Sequence, residues 1–163
     1  MASDLRTDLL IDGKWVRADS GKTIAVENPA TEETIAQVAF AGRSETKRAL
    51  EAAAKAMPAW RKALPYERAK VLKKTAELMR ERADQIARTM TMEQGKPLAE
   101  AKGEVLHSAD TFEWFAEEGK RAYGQVIPHG QPGRRHITVK HPVGVVGAIS
   151  PWNFPITLQS RKI

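Results

Sequence analysis

The sequence contains no cysteine among its 163 residues. Disulfide bonds, zinc–thiolate sites and catalysis by a cysteine nucleophile within these residues are therefore excluded. Long apolar runs are also missing, since no stretch approaches the ~18 residues of a membrane-spanning helix. Residues 1–8 mix acidic and basic side chains, unlike a secretory signal or an Arg-rich transit peptide. We therefore expect a cytoplasmic protein with no membrane partner.

Basic residues outnumber acidic ones by 26 to 20, a net charge of +6. They are densest over residues 61–82, where binding to the phosphates of a nucleic acid is one interpretation. Glu67, Glu77 and Glu81 interrupt this basic stretch, and neither an aromatic stacking platform nor a known motif accompanies it. A solvated helix surface explains the pattern better, so we expect no nucleic-acid partner.

Metal-binding and acid–base clusters are equally sparse. The four histidines lack the i, i+4 spacing of a metalloprotease pair, so we expect no metal site. A glutamate cluster at 113–118 lies beside Lys120 and Arg121, which favours ordinary surface ion pairs over catalysis. The histidines are His107, His129, His136 and His141.

Short β segments separated by turns fill residues 1–42, which we interpret as an N-terminal β arm that packs on something else. Asp12-Gly13 between two apolar runs predicts a type I′ hairpin. Two further strands are expected at 23–26 and 34–40.

Residues 43–123 follow a helical pattern. Ser44 is the predicted N-cap of the first helix, and Pro58 is expected to stop or kink it. Pro65 opens the next helix, Gly95 ends a third, and 98–119 forms a long amphipathic helix. The apolar positions supply three aromatic core candidates: Trp60, Phe112 and Phe115.

The remaining residues change back to strand and loop. Glycines and prolines over 124–135 predict a loop, and 137–140 an edge strand. Val143–Ile149 is a nearly continuous apolar run, typical of a strand buried on both faces of a parallel α/β sheet. Pro151 and Pro155 then produce a stiff loop and the start of a helix. Because a parallel strand needs neighbours and the final helix has no end signal, we expect a truncated chain.

Two residues near this loop invite a functional interpretation. Asn153 is either a turn residue that bonds its own backbone or a rigid amide donor for an oxyanion. Arg161, about two helical turns further on, either clamps a carboxylate or is a surface charge.

The loop Ser150-Pro151-Trp152-Asn153-Phe154-Pro155 resembles that of the NAD(P)-dependent aldehyde dehydrogenase superfamily. Segments 93–104 and 113–121 look most like succinate-semialdehyde dehydrogenases. The resemblance covers essentially the whole chain. Its other motifs are Ile11-Asp12-Gly13-Lys14-Trp15, Asn28-Pro29-Ala30-Thr31, Pro58-Ala59-Trp60 and Glu93-Gln94-Gly95-Lys96-Pro97.

This resemblance implies an α/β fold: the N-terminal part of a Rossmann-type cofactor domain. It divides into a β arm (1–42), a helical part (43–123), a loop and oligomerisation strand (124–142), and the first sheet strand, oxyanion loop and next helix start (143–163). The full-length enzyme is expected to be a homo-oligomer.

The resemblance also implies a mechanism in which a cysteine thiolate attacks an aldehyde and hydride passes to NAD or NADP. Asn153 matches the oxyanion donor, and Arg161 matches an arginine for the distal carboxylate of a small aldehyde such as succinate semialdehyde. Four residues match positions that line the cofactor, together with Asn153: Ile149, Ser150, Pro151 and Trp152.

The nucleophilic cysteine and the general-base glutamate motif of the family are absent from these residues. We therefore predict that the 163-residue chain alone is inactive. The alternative is a short, non-catalytic interaction module that pairs with a full-length relative.

Overall fold

A computed structural model describes residues 5–163 of the protein; residues 1–4 of the predicted arm lie outside them. Within this part of the chain there are five α-helices and three two-stranded antiparallel sheets. The strands are β1 (Leu9–Ile11), β2 (Lys14–Val16), β3 (Thr23–Glu27), β4 (Thr34–Ala39), β5 (Gln125–Pro128) and β6 (Arg135–Thr138). The helices are α1 (Arg43–Lys62), α2 (Pro65–Glu81), α3 (Ala83–Gln94), α4 (Leu98–Glu118) and α5 (Pro155–Ser160), with a 3₁₀ turn at Gly119–Arg121.

The first hairpin pairs β1 with β2 around Asp12 and Gly13, whose φ angles are 49° and 73°. Positive φ at both turn residues is the signature of the predicted type I′ turn. A buried carboxylate, Glu45, joins the β region to α1: it accepts hydrogen bonds from the backbone N–H of Asp19 at 2.6 Å and of Gly42 at 2.9 Å. These backbone donors, that of Asp19 first, lower the pKa of Glu45.

The start and the interior of α1 differ from the sequence prediction. The N-cap is Gly42, while the hydroxyl of Ser44 donates to the side chain of Asp19 at 2.9 Å. The carboxylate of Glu45, at the third position of the helix, instead accepts the backbone N–H of the N-cap residue Gly42. Pro58 does not stop the helix, because it removes one hydrogen bond near the end and leaves the exposed Ala54 carbonyl to water.

The core lies where α4 packs against α2 and α3. It is built largely from alanines, which let the helices approach closely, around Val105 and Met90. Phe112 is buried there as predicted, but Trp60 and Phe115 are nearly half exposed, so their assignment to the core is wrong.

Residues 124–135, predicted as loop, contain β5, which pairs with β6 in register from Gln125–Thr138 to Pro128–Arg135. The glycines and prolines obscured the β-branched pair Val126-Ile127, which favours a strand. All eight residues of this hairpin are exposed. The edge strand ends at Thr138 rather than Lys140.

The buried strand predicted at 143–149 is also wrong for this structure. No strand is formed there, and Val143 and Ile149 are 94% and 90% exposed. A parallel strand is stabilised by hydrogen bonds to neighbouring strands, and residues 5–163 hold only two-stranded antiparallel sheets. Among the described residues, no helix is long and apolar enough to span a membrane.

Candidate functional site

The loop 150–154 lies between the exposed apolar segment and α5, and is fixed through its main chain. The side-chain amide of Gln94 donates to the carbonyl oxygen of Trp152 at 2.8 Å. The ammonium of Lys96 donates to the carbonyl oxygen of Asn153 at 2.9 Å. Gln94 is the last residue of α3 and Lys96 lies in the connection to α4, where Gly95 ends α3 with a φ of 80°.

A buried carboxylate on α4 holds the residues that follow. One oxygen of Glu104 accepts the backbone N–H of Ile156 at 3.0 Å and that of Thr157 at 3.2 Å. Its other oxygen pairs with the ammonium of Lys96. The two side chains are only 2% and 10% exposed, respectively. Every charge in this buried group therefore has a hydrogen-bonding partner, which a buried ion pair requires.

Helix α5 is docked on α4 by further contacts. The hydroxyls of Ser108 and Thr157, both buried, lie 3.1 Å apart, and Ser108 also donates to the Glu104 carbonyl at 2.8 Å. Ile156 packs against the core of α3 and α4. The first turn of α5 is thus rigidly seated.

A cavity of about 420 Å³ opens between α4 and α5. Arg161, at the C-terminal end of α5, lines it and has no ion pair within residues 5–163. Asn153 does not line this cavity; its side-chain amide makes no hydrogen bond with the described residues. The other lining residues are Lys96, Glu100, Gly103, Glu104, His107, Phe154, Thr157 and Leu158.

Residues 15–163 match the aldehyde dehydrogenase family. The chain belongs to this family. Glutarate-semialdehyde dehydrogenase of Pseudomonas aeruginosa is 54% identical over 157 residues, 96% of this chain and 32% of that enzyme. Succinate-semialdehyde dehydrogenase [NADP(+)] of Escherichia coli is 50% identical over 157 residues, 96% of this chain and 33% of that enzyme.

The backbone gives the same result. The crystal structure of an Escherichia coli NADP-dependent enzyme matches with a TM-score of 0.94 at 50% identity, covering 96% of this chain and 33% of that one. This aldehyde dehydrogenase chain therefore spans about a third of the length of its relatives. Its predicted α/β class is confirmed, because the fold is that of a part of an aldehyde dehydrogenase.

The family implies a nicotinamide cofactor, and the residues that match its site can be tested for fit. The hydroxyl oxygen of Ser150 is buried and has no hydrogen-bond partner among the described residues. Ile149 and Trp152 on either side present exposed apolar surface. A hydroxyl without a partner and two exposed apolar side chains are groups that a planar, partly polar ligand such as a nicotinamide cofactor can use.

Sequence reasoning missed the roles of Lys96 and Glu104 in this aldehyde dehydrogenase chain. A signal for Glu104 was present, since it falls on the apolar stripe of α4 between Ala101 and Val105, both fully buried. A carboxylate at such a position must find a partner. Nearby, partial desolvation raises the pKa of Glu93, a surface-exposed residue that lines a separate cavity beside Pro155 and Ile156.

Proposed function

We propose that these residues serve the oxidation of an aldehyde carrying a distal carboxylate, with NAD or NADP as the hydride acceptor. The substrate is succinate semialdehyde or glutarate semialdehyde, the substrates in the names of two relatives. The main support for the proposal is the position of Arg161. Its side chain lines a cavity, and Arg161 makes no ion pair among the described residues. A guanidinium can bind a carboxylate with two parallel hydrogen bonds.

Asn153 is the proposed oxyanion donor. Its side-chain amide donates to the carbonyl oxygen of the substrate as negative charge develops there, and a donor fixed in advance favours the transition state over the ground state. The main chain of Asn153 is held by Lys96, which supports this role. Arg161 meanwhile holds the far end of the substrate.

The cofactor supplies hydride acceptance when it is bound. In the proposal it is held by residues 149–152, with the Ser150 hydroxyl as a hydrogen-bonding group and the side chains of Ile149 and Trp152 as apolar walls. The choice between NAD and NADP is left open by these residues.

The 163 residues alone are proposed to be inactive, because a cysteine thiolate is the family's nucleophile and none is present. The test is NAD(P)H formation from succinate semialdehyde by the 163-residue polypeptide, followed at 340 nm, a standard wavelength for this absorbance. We expect no rate above the blank. A measurable rate contradicts the proposal.

The substrate claim is tested with Arg161→Gln in the full-length protein that contains these residues. A charged hydrogen bond contributes about 1.5–3 kcal/mol, so kcat/KM for succinate semialdehyde should fall by about 10- to 150-fold. The rate with butanal, which has no carboxylate, should change less than about twofold. Lys162→Gln, which removes the neighbouring positive charge, is the matched control.

Equal losses of kcat/KM for the two aldehydes in Arg161→Gln contradict the carboxylate role. The same measurements with glutarate semialdehyde show whether the site prefers the longer or the shorter carbon chain of the substrate. Absence of any aldehyde oxidation by the unaltered full-length protein contradicts the proposed function as a whole.

An interaction module is the second candidate, favoured by the exposed strands of the β5–β6 hairpin. Such a hairpin also suits assembly of a homo-oligomeric enzyme, which we propose for the full-length protein. The reading frame downstream of Ile163 separates the two. A continuing frame that encodes a cysteine supports the enzyme, and a stop codon supports the module.

A further inference from the structure

We propose that Lys96 and Glu104 are positioning residues, which hold Asn153 and Arg161 in fixed positions relative to helix α4. This inference rests on the proposed function, since it assigns the two residues to the same site. Neither is proposed to touch the reacting atoms. Their effect on the reaction passes through the loop and the first turn of α5.

Both carboxylate oxygens of Glu104 already have hydrogen-bond partners within the protein. One oxygen receives two backbone N–H groups, from Ile156 and Thr157, and the other receives the ammonium of Lys96. The side chain is 2% exposed. Glu104 therefore acts as a clamp on α5 rather than as an acid or base.

Lys96 directs its charge at the loop. Besides Glu104, its ammonium donates to the carbonyl oxygen of Asn153 at 2.9 Å and lies 4.0 Å from the centre of the Phe154 ring. A cation at this distance from an aromatic ring is attracted to its face. Two consecutive loop residues are thus fixed by one side chain, whose own position is fixed by Glu104.

The consequence for Asn153 follows from its remaining contacts. Its side-chain amide makes no hydrogen bond with the described residues, so the position of that amide depends on its main chain. The carbonyl of Asn153 is bonded to Lys96 and that of Trp152 to Gln94. Misplacing a catalytic group by about 1 Å can cost about 100-fold in rate, so these tethers matter to catalysis.

The functional test is a double-mutant cycle in the full-length protein, using Lys96→Met and Asn153→Ala. Lys96→Met alone should lower kcat by about 10- to 100-fold. The loss should be the same with succinate semialdehyde and with butanal. In the Asn153→Ala background it should lower kcat less than about twofold, because coupled residues are not additive. A residue that only stabilises the fold does not give this coupling.

Lys102→Met is the matched control. Lys102 lies on α4 and pairs with a carboxylate of α3, Asp84, at 2.7 Å, but within residues 5–163 it makes no hydrogen bond or ion pair to the loop. Its kcat should stay within about twofold of the unaltered protein. Losses that simply multiply in the Lys96–Asn153 cycle, or no loss in Lys96→Met, overturn the inference.

A second measurement needs no activity and therefore separates this inference from the proposed function. Glu104→Ala should speed hydrogen exchange of the Ile156 and Thr157 amides at least about tenfold relative to Lys102→Met, since their acceptor is removed. Glu104→Gln keeps an oxygen acceptor and should fall between the two. Unchanged exchange in Glu104→Ala overturns the clamp even if the protein oxidises aldehydes.

Discussion

Gly95 shows how much one residue sets in this chain. It ends α3 at a φ of 80°, so that Lys96 turns back towards the loop, and a Cβ at this position would lie 2.9 Å from Cγ of Pro29. Both the left-handed backbone and the close approach to the β region require glycine. The Glu-Gln-Gly-Lys-Pro motif is therefore the sequence of the end of α3 and the turn to α4, with Gly95 at its left-handed position.

Gly95→Ala should lower the free energy of unfolding by about 1–2 kcal/mol, the cost of a left-handed conformation for an L-residue. Gly103→Ala is the control: this glycine is exposed in the middle of α4, and a Cβ added to it would meet no atom within 4 Å. That change should stabilise by about 0.5–1 kcal/mol through helix propensity. Urea denaturation of both variants measures the difference, and equal stability of the two contradicts the assignment.

At the same scale, the sequence pointed to the loop with Asn153, because its prolines stand out locally, and to Arg161 about two helical turns further on. It did not identify Lys96 or Glu104, since their partners lie 57 and 52 residues away, at Asn153 and Ile156. Polar side chains that bind a backbone group far away in the sequence produce no recognisable spacing of residues in the sequence. For Glu104 the sequence does carry one signal, a carboxylate at a position of the apolar stripe that is expected to be buried.

At the scale of elements, the helices were predictable and the β structure was only partly so. Helical periodicity and the Gly95–Pro97 stop signal are local, and α2, α3 and α4 follow them. The strand expected at 143–149 depends on neighbours that residues 5–163 do not contain, so its apolar run stays exposed. Local pattern predicts an amphipathic helix well because the helix satisfies its own backbone, whereas a strand needs a partner.

The elements also divide the work of the candidate site. Helix α4 is the platform, because its buried face carries Glu104 and Ser108, which hold α5. The end of α3 supplies Gln94 and the connection to α4 supplies Lys96, and both hold the loop. Arg161, proposed to bind the carboxylate, directly follows α5 as its C-cap.

At the scale of the whole molecule, the helices are joined by ion pairs at one end. Glu117, at the end of α4, bonds Lys73 of α2 at 2.6 Å and Lys120 of the 3₁₀ turn at 2.7 Å. These hydrogen bonds, that of Lys120 first, lower the pKa of Glu117 from its ordinary value of 4.5 to about 2. The pair of lysines thus links α2, α4 and the turn that leads to the β5–β6 hairpin.

A carboxylate whose pKa is lower in the folded state stabilises the protein above its unfolded pKa and loses that contribution as it is protonated. The contribution of Glu117 should therefore be constant above about pH 4.5 and disappear as the pH falls to about 2. Glu117→Gln lacks it at every pH. The difference in free energy of unfolding between the unaltered protein and Glu117→Gln, measured by urea denaturation, should shrink over this range.

Glu81→Gln supplies the control, since it removes one exposed carboxylate from the end of α2. Its difference from the unaltered protein should vary much less with pH. Because Glu117 and its partners are partly exposed, added salt should reduce the Glu117 effect at neutral pH. The difference in free energy of unfolding between the unaltered protein and Glu117→Gln can be compared at about pH 6 and about pH 2.5. If it is the same at both, the ion pairs of Glu117 do not hold α2 and α4 together.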